Sequence, residues 1–144
     1  MQDFFQDVEL TNIDLEKIKR NTDEITLAYQ IALRSTEENV RNEQDVIINR
    51  LTASTNEVSL RIRDRLQMMD ENTNTLESKA PPGSGDLRMR RINQAALTKK
   101  FSDRMEAFKK VQSDAHEHKQ SEIRREYQVS TLDLSTANVA LILI

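Results

Sequence analysis

The two histidines, His116 and His118, are the side chains best suited to acid–base chemistry or metal binding near neutral pH. Their spacing of two residues places them about 200° apart on a helix, so they cannot bind one metal ion together. The chain of 144 residues contains no cysteine, which excludes thiol nucleophiles, disulfides and thiolate ligands. We therefore expect surface histidines and no metal site.

Carboxylates are frequent in the first forty residues, but they lie off the apolar stripe of the helix predicted there. General acid–base catalysis needs a carboxylate in a desolvated cleft, whereas these groups are expected to be hydrated. A glycine-rich phosphate loop is also missing, because both glycines lie in one proline-rich segment. The sequence predicts a protein that is not an enzyme and has no cofactor.

The charge is unevenly distributed although the net charge is only −3. Residues 1–40 carry 9 acidic and 4 basic side chains, and residues 86–128 carry 11 basic and 7 acidic ones. Mixed charges along a helix are typical of a solvated face. Nucleic-acid binding would need a denser basic run with stacking aromatic residues, so it is not expected.

Helix-breaking residues divide the chain into three predicted helices. Pro81-Pro82-Gly83-Ser84-Gly85 is the clearest break. Ser35 and Glu38 have the spacing of a capping box, which predicts a second helix start. The helices are expected at about residues 2–34, 37–78 and 86–128, forming one domain over residues 1–128. Residues 129–144 do not clearly continue the pattern and are expected to be a tail of unknown role.

Each predicted helix carries an apolar stripe with steps of three and four residues, which is typical of helices packed lengthwise. Short connections favour antiparallel neighbours. The predicted fold is therefore all-α, an antiparallel up-down-up three-helix bundle with long helices. The predicted core residues are Val8, Leu15, Ile18, Ile25, Leu51, Val58, Ile62, Met69, Leu97, Phe101, Met105 and Phe108.

Several apolar residues lie beside these stripes, among them Ile48, Leu60, Met89 and Ile92. They either widen the core face or form a second seam on the second and third helices. A second seam would leave a groove that could accept a fourth helix. The predicted groove residues are Ile48, Leu60, Met68, Met89, Arg90, Ile92 and Lys99. Charge reversal at Arg90 and Lys99 is expected to weaken binding of an acidic helix without changing the melting temperature.

Several short elements follow one another along the chain: Phe4-Phe5-Gln6-Asp7-Val8-Glu9, Lys17-Ile18, Asp86-Leu87-Arg88-Met89-Arg90-Arg91, Gln94, Leu97, Lys100-Phe101, Met105 and Gln112-Ser113-Asp114. In their order and separations the chain resembles the N-terminal regulatory domain of a syntaxin, most closely the plasma-membrane type, over about residues 3–128. No part of the chain resembles the family's SNARE motif or membrane anchor.

The resemblance implies a non-catalytic regulatory domain that controls SNARE-complex assembly in vesicle fusion and exocytosis. Its expected partners are a SNARE-motif helix, held between the second and third helices in a closed state, and a Sec/Munc-type regulator. The full-length protein would act at the cytoplasmic face of the plasma membrane, with this chain as a soluble fragment. The alternatives are a spectrin-like structural repeat, which usually carries a tryptophan that this chain lacks, and a membrane-surface module, which the acidic first helix disfavours.

Overall fold

The structure, a computed structural model, describes the backbone of residues 2–143 and the side chains of residues 3–129. It contains three helices: α1 Gln2–Arg34, α2 Glu38–Lys79 and α3 Gly85–Leu143. No strand occurs within that described backbone, and the helices pack on one another, which confirms the predicted all-α three-helix bundle. Within the described residues, none of the helices has a stretch long and apolar enough to cross a bilayer.

The turn between α1 and α2 differs from the predicted capping box. The Ser35 hydroxyl accepts a hydrogen bond from the backbone N–H of Glu37 at 3.1 Å. Glu37 is the N-cap of α2, and its side chain makes no capping hydrogen bond. Ser35 therefore closes the turn ahead of the helix instead of capping it, so α2 begins at Glu38 and the predicted role of Ser35 was wrong.

The second connection is shaped by its two prolines and by one glycine. Ala80 is extended, with φ −84° and ψ 149°, because the following proline disfavours the helical conformation there. Its N–H still donates to the Leu76 carbonyl at 2.8 Å, which completes the last turn of α2. Gly83 has φ +80°, a left-handed conformation that glycine adopts without a Cβ clash. The chain can therefore reverse and start α3 at Gly85.

The third helix is longer than predicted. It continues to Leu143, although the sequence predicted its end near residue 128 and a tail over residues 129–144. No proline or glycine follows Gly85 in the sequence, and the Ser and Thr residues of this segment cost only tenths of a kcal/mol each in a helix. The side chains of residues 130–144 lie outside the described residues.

The described chain divides into two compact units, with the boundary between Val111 and Gln112. The first unit holds α1, α2 and the part of α3 up to Val111. Within it, Asp14 in the first half of α1 bonds Arg61, whereas Asn21, further along α1, bonds Thr55, which comes earlier on α2. The order of these pairs makes α1 and α2 antiparallel.

The core of this unit consists of two clusters of buried side chains. The first is built around Ile18, Ile62 and Leu97, and the second around Ile25 and Phe108. The structure buries these predicted core residues: Leu15, Ile18, Ile25, Leu51, Val58, Ile62, Met69, Leu97 and Phe108. Val8, Phe101 and Met105 are partly buried and pack against the clusters.

Ion pairs to the buried carboxylate of Asp14 fix the rotation of α2 against α1. Arg61 donates from Nε and Nη2 to the two carboxylate oxygens of Asp14 at 3.0 and 2.7 Å, and Arg65 adds a third bond at 2.9 Å. The hydrogen bond from Arg61 holds the pKa of Asp14 below its usual value and, together with Arg65, outweighs the burial that raises it. With this side of α2 bound to α1, the opposite side of α2, including Ser59 and Arg63, is turned away from α1.

Candidate helix-binding cleft

A cleft of about 660 Å³ lies between α2 and α3. Its apolar floor comes from Leu60 on α2 and from Phe101 and Met105 on α3. Leu60 is 51% exposed, whereas Phe101 and Met105 are partly buried against the core. The residues that line the cleft are Ser59, Leu60, Arg63, Thr98, Phe101, Ser102, Met105, Glu106 and Lys109.

The cleft stays open because three of its lining positions carry small polar side chains. Ser59 stands on α2, and Thr98 and Ser102, one turn apart, stand on α3. Leucine or phenylalanine at these positions would extend across to the neighbouring helix and cover Phe101 and Met105. Since they are small, the apolar side chains beneath them remain accessible to a partner.

Polar contacts at one end of the hairpin hold α2 and α3 in the register that forms the cleft. The buried Gln94 side chain donates from Nε2 to the Met69 carbonyl at 2.9 Å and to the Thr73 hydroxyl at 2.6 Å. Arg91 donates to Asn74 at 2.8 Å and also pairs with Glu77. Residues near the start of α3 thus bond residues near the end of α2, which makes the two helices antiparallel.

Two cations and one anion stand beside the apolar floor. Arg63 lies on α2 and Lys109 on α3, while Glu106 offsets one of these charges. The local balance is basic, although the whole chain is acidic. An open apolar strip with basic flanks fits the apolar stripe of an amphipathic helix that has acidic residues beside it.

The groove residues predicted on α2 fall on three different surfaces. Leu60 lines the cleft. Ile48 is half-buried and packs against the core cluster of Ile25 and Phe108. It therefore widens the core face, which is one of the two alternatives that the sequence left open. Met68 is 47% exposed and lies three residues after Arg65 and seven after Arg61, so it shares the side of α2 that faces α1.

The groove residues predicted on α3 lie outside the lining of the cleft. Ile92 is 60% exposed, Lys99 is exposed and Met89 is half-buried. Arg90 is half-buried, with its guanidinium 4.8 Å from the centre of the Phe4 ring of α1. It lines a separate small pocket between the helices, together with Asp3 and Asp7.

Several lining residues were not recognised as such from the sequence. Thr98, Ser102, Met105 and Lys109 are spaced by four, three and four residues, so they share one face of α3. That spacing is visible in the sequence, but only two of its members are large and only one is apolar. A search for a second apolar stripe therefore does not identify these residues. Small residues next to the core stripe would have indicated the cleft.

The two histidines lie in the second unit, on α3. The Nε2 atom of His116 is 3.1 Å from the Gln120 amide nitrogen, and His118 is 3.5 Å from the Glu122 carboxylate. Both contacts join residues four apart on one helix. Among the described side chains, no group of three or more histidine, cysteine or acidic residues is placed to bind a metal ion.

The fold is a three-helix bundle with a cleft between α2 and α3. The Syntaxin family model matches residues 1–139, nearly the whole chain. The chain therefore belongs to the syntaxin family, and the matching region is the three-helix, N-terminal regulatory type of domain. Syntaxins are SNARE proteins without catalytic activity, so membership implies a role in membrane trafficking and SNARE partners in general.

Proposed function

We propose that the cleft between α2 and α3 holds a SNARE-motif helix and thereby keeps that helix out of the SNARE complex. The observation that supports this most directly is the open strip of Leu60, Phe101 and Met105 beside Arg63 and Lys109. An amphipathic helix can cover the apolar strip with its own apolar stripe and pair its acidic flank with the two cations. The cleft would then form the fourth-helix position of a bundle.

In the full-length protein the occupant would be the chain's own SNARE motif, which gives a closed, autoinhibited state. A helix held in the cleft is unavailable for assembly, so cleft binding and SNARE-complex formation compete for the same segment. The competition requires only a few kcal/mol of difference between the two arrangements to move the population from mostly closed to mostly open. Regulation of exocytosis at the cytoplasmic face of the plasma membrane would follow from this switch.

The binding test uses a fluorescein-labelled SNARE-motif peptide from a plasma-membrane syntaxin and measures its Kd by fluorescence anisotropy. Leu60→Asp places a charge on the apolar floor and should weaken binding about tenfold or more. Ile92→Asp is the matched control, since Ile92 is as exposed as Leu60 but lies outside the cleft. The control should change the Kd less than about twofold, within the range expected for a surface substitution.

The contribution of the two cations to peptide binding is tested separately. Arg63→Glu combined with Lys109→Glu should weaken peptide binding and reduce its dependence on salt, because both cations are removed from the cleft. The Tm of every variant should stay near that of the parent, since these side chains contribute little to the core. Unchanged peptide affinity in the Leu60→Asp variant, or equal weakening by Ile92→Asp, would rule out the cleft as the binding site.

We further propose that a Sec/Munc-type regulator binds the domain when the cleft is occupied. This proposal is supported by family membership, since the family's regulators recognise the closed form. Isothermal titration calorimetry with a purified Sec/Munc-type protein should give tighter binding to the chain saturated with the SNARE-motif peptide than to the chain alone. Equal affinity with and without the peptide would contradict the dependence on an occupied cleft.

A further inference from the structure

The charged residues of the cleft lie at different levels along its axis. Arg91 near the start of α3 bonds Asn74 near the end of α2, and the two helices are antiparallel. Eleven residues further along α3 is Ser102, and eleven residues back along α2 is Arg63, so these two residues lie opposite each other. Arg63 therefore faces an uncharged side chain across the cleft.

The other two charges stand on the α3 side of the cleft. Glu106 comes four residues after Ser102, about 6 Å along the helix, and Lys109 comes three residues later, about 10 Å from Ser102. By the same count along the two helices, Ser59 lies opposite Glu106. Along its axis the cleft therefore presents a cation on α2, then an anion on α3, then a second cation on α3.

These three charges are available to a partner. Among the described side chains, Arg63, Glu106 and Lys109 take part in no salt bridge. This holds although Lys109 and Lys110 follow Glu106 on α3 by three and four residues, where a pair along one helix could form. All three side chains are exposed. A helix in the cleft can therefore pair with each of them without breaking a salt bridge of the bundle.

Glu106 makes the cleft selective among amphipathic helices. A helix that lies along the cleft turns one flank towards α2 and the other towards α3. An acidic residue on the first flank pairs with Arg63, and an acidic residue on the second flank pairs with Lys109. One turn from the second acidic residue, the same flank meets Glu106. A further acidic residue there would bring like charges together, whereas a lysine or arginine would form a third pair.

We propose that the cleft selects a helix with an acidic flank towards α2 and, towards α3, a flank that carries an acidic and a basic residue one turn apart. The inference rests on the proposed function, because it assumes that the cleft holds an amphipathic helix. Leu60, Phe101 and Met105 give affinity for any such helix. Glu106 is the specificity-determining residue, since it disfavours a helix whose flanks are both uniformly acidic.

Two designed helical peptides of three heptads, about 21 residues, test this selectivity. Both carry the same leucine stripe and glutamates on one flank. On the other flank the mixed peptide has a glutamate and a lysine one turn apart, whereas the acidic peptide has glutamates at both positions. The mixed peptide is made with both orders of these two residues, because its direction in the cleft decides which order matches. By fluorescence anisotropy at low salt, the better order should bind at least about threefold more tightly than the acidic peptide.

A substitution in the cleft should invert this preference. Glu106→Lys leaves three cations beside the apolar floor, so the acidic peptide should then bind more tightly than the mixed one. Glu24→Lys is the matched control, because it changes the net charge equally at an exposed position of α1 outside the cleft, and it should keep the parent's preference. The ratio of the two Kd values is compared between proteins, so a difference in helix content between the peptides cancels. High salt should bring the ratio close to one.

The outcomes separate this inference from the proposed function. Equal affinity of the parent chain for both designed peptides, or a preference that Glu106→Lys leaves in place, overturns the selectivity. A preference that Glu24→Lys removes also overturns it, because net charge would then be the source. If the SNARE-motif peptide binds the cleft while the designed peptides are not distinguished, the proposed function stands and the selectivity fails. If the SNARE-motif peptide does not bind, but the designed peptides keep the preference and lose affinity in Leu60→Asp, the proposed function fails and the selectivity stands.

Discussion

The guanidinium of Arg90 on α3 lies 4.8 Å from the centre of the Phe4 ring on α1. Phe4 belongs to the first core cluster, so Arg90 covers one end of the core. A cation over an aromatic face contributes about 0.5–1 kcal/mol at exposed sites and more when it is desolvated. Arg90 therefore joins α1 to α3, a role that its position beside the other predicted groove residues did not indicate.

This contact reverses what the sequence predicts for charge reversal at Arg90. Arg90→Glu should lower the Tm, because it removes the cation from Phe4 and adds an anion beside Asp3 and Asp7. Affinity for the SNARE-motif peptide should not change. Lys99→Glu is the control, since Lys99 is exposed and should leave both quantities unchanged. A loss of affinity without a loss of Tm in Arg90→Glu would contradict the structural role.

A second prediction concerns acid stability and rests on Asp14. The folded-state pKa of Asp14 lies below the ordinary value of an aspartate, because Arg61 and Arg65 donate hydrogen bonds to the carboxylate. A carboxyl group with a depressed folded pKa stabilises the fold above its unfolded pKa and loses that contribution as the pH falls through the folded pKa. The stabilising effect of Asp14 should therefore be complete near neutrality and decline below about pH 4.

Asp14→Asn isolates this effect. The variant should lose about 1.5–3 kcal/mol of unfolding free energy at neutral pH, the usual loss for hydrogen bonds to a charged group. Its deficit against the parent should narrow below about pH 4, where the parent carboxyl also becomes neutral. Urea unfolding at a series of pH values measures the loss of unfolding free energy and its dependence on pH. A deficit that does not change with pH would exclude the ionised carboxylate as its source.

The number of helices and most of the core could be predicted from the sequence. The apolar stripes place Ile18 on one face of α1 and Phe108 on one face of α3, and such faces can be buried only against other helices. The end of α3 could not be predicted from the same signal. A stripe shows which side of a helix is buried, whereas helix length depends on breakers, and none follows Gly85.

The cleft was harder to predict, because its lining depends on how α2 is rotated. Leu60 and Met68 look equivalent in the sequence, since both are apolar residues beside the core stripe. The bonds of Arg61 and Arg65 to Asp14 turn the side of Met68 towards α1 and leave Leu60 to line the cleft. The rotation of α2 thus depends on Asp14, a residue of another helix, and the sequence alone does not show that Arg61 and Arg65 bond it.

A third prediction compares two phenylalanines that differ in burial. Phe108 is 1% exposed within the second core cluster, whereas Phe5 is 49% exposed on α1. Phe108→Ala leaves a cavity and should lower the unfolding free energy by about 3–5 kcal/mol. Phe5→Ala should lower it by less than about 1 kcal/mol, as expected for a surface position. Denaturant unfolding of both variants measures the difference, and equal losses would contradict the assignment of the core.

The last prediction follows from the small residues that keep the cleft open. Ser102→Leu extends an apolar side chain over Phe101 and Met105, so it fills the space that the peptide needs. The buried apolar area should raise the unfolding free energy by about 0.5–2 kcal/mol, as cavity-filling substitutions do. Peptide affinity should fall about tenfold or more, because the site is blocked while the fold is strengthened.

The control for this substitution is Ala107→Leu, which adds a leucine to an exposed position of α3 outside the cleft. It should leave peptide affinity and Tm nearly unchanged. Opposite changes of stability and affinity in Ser102→Leu distinguish a blocked cleft from a damaged fold, because damage lowers both together. If Ser102→Leu binds the peptide as the parent does, the helix is bound at another surface and the apolar floor between α2 and α3 is not its site.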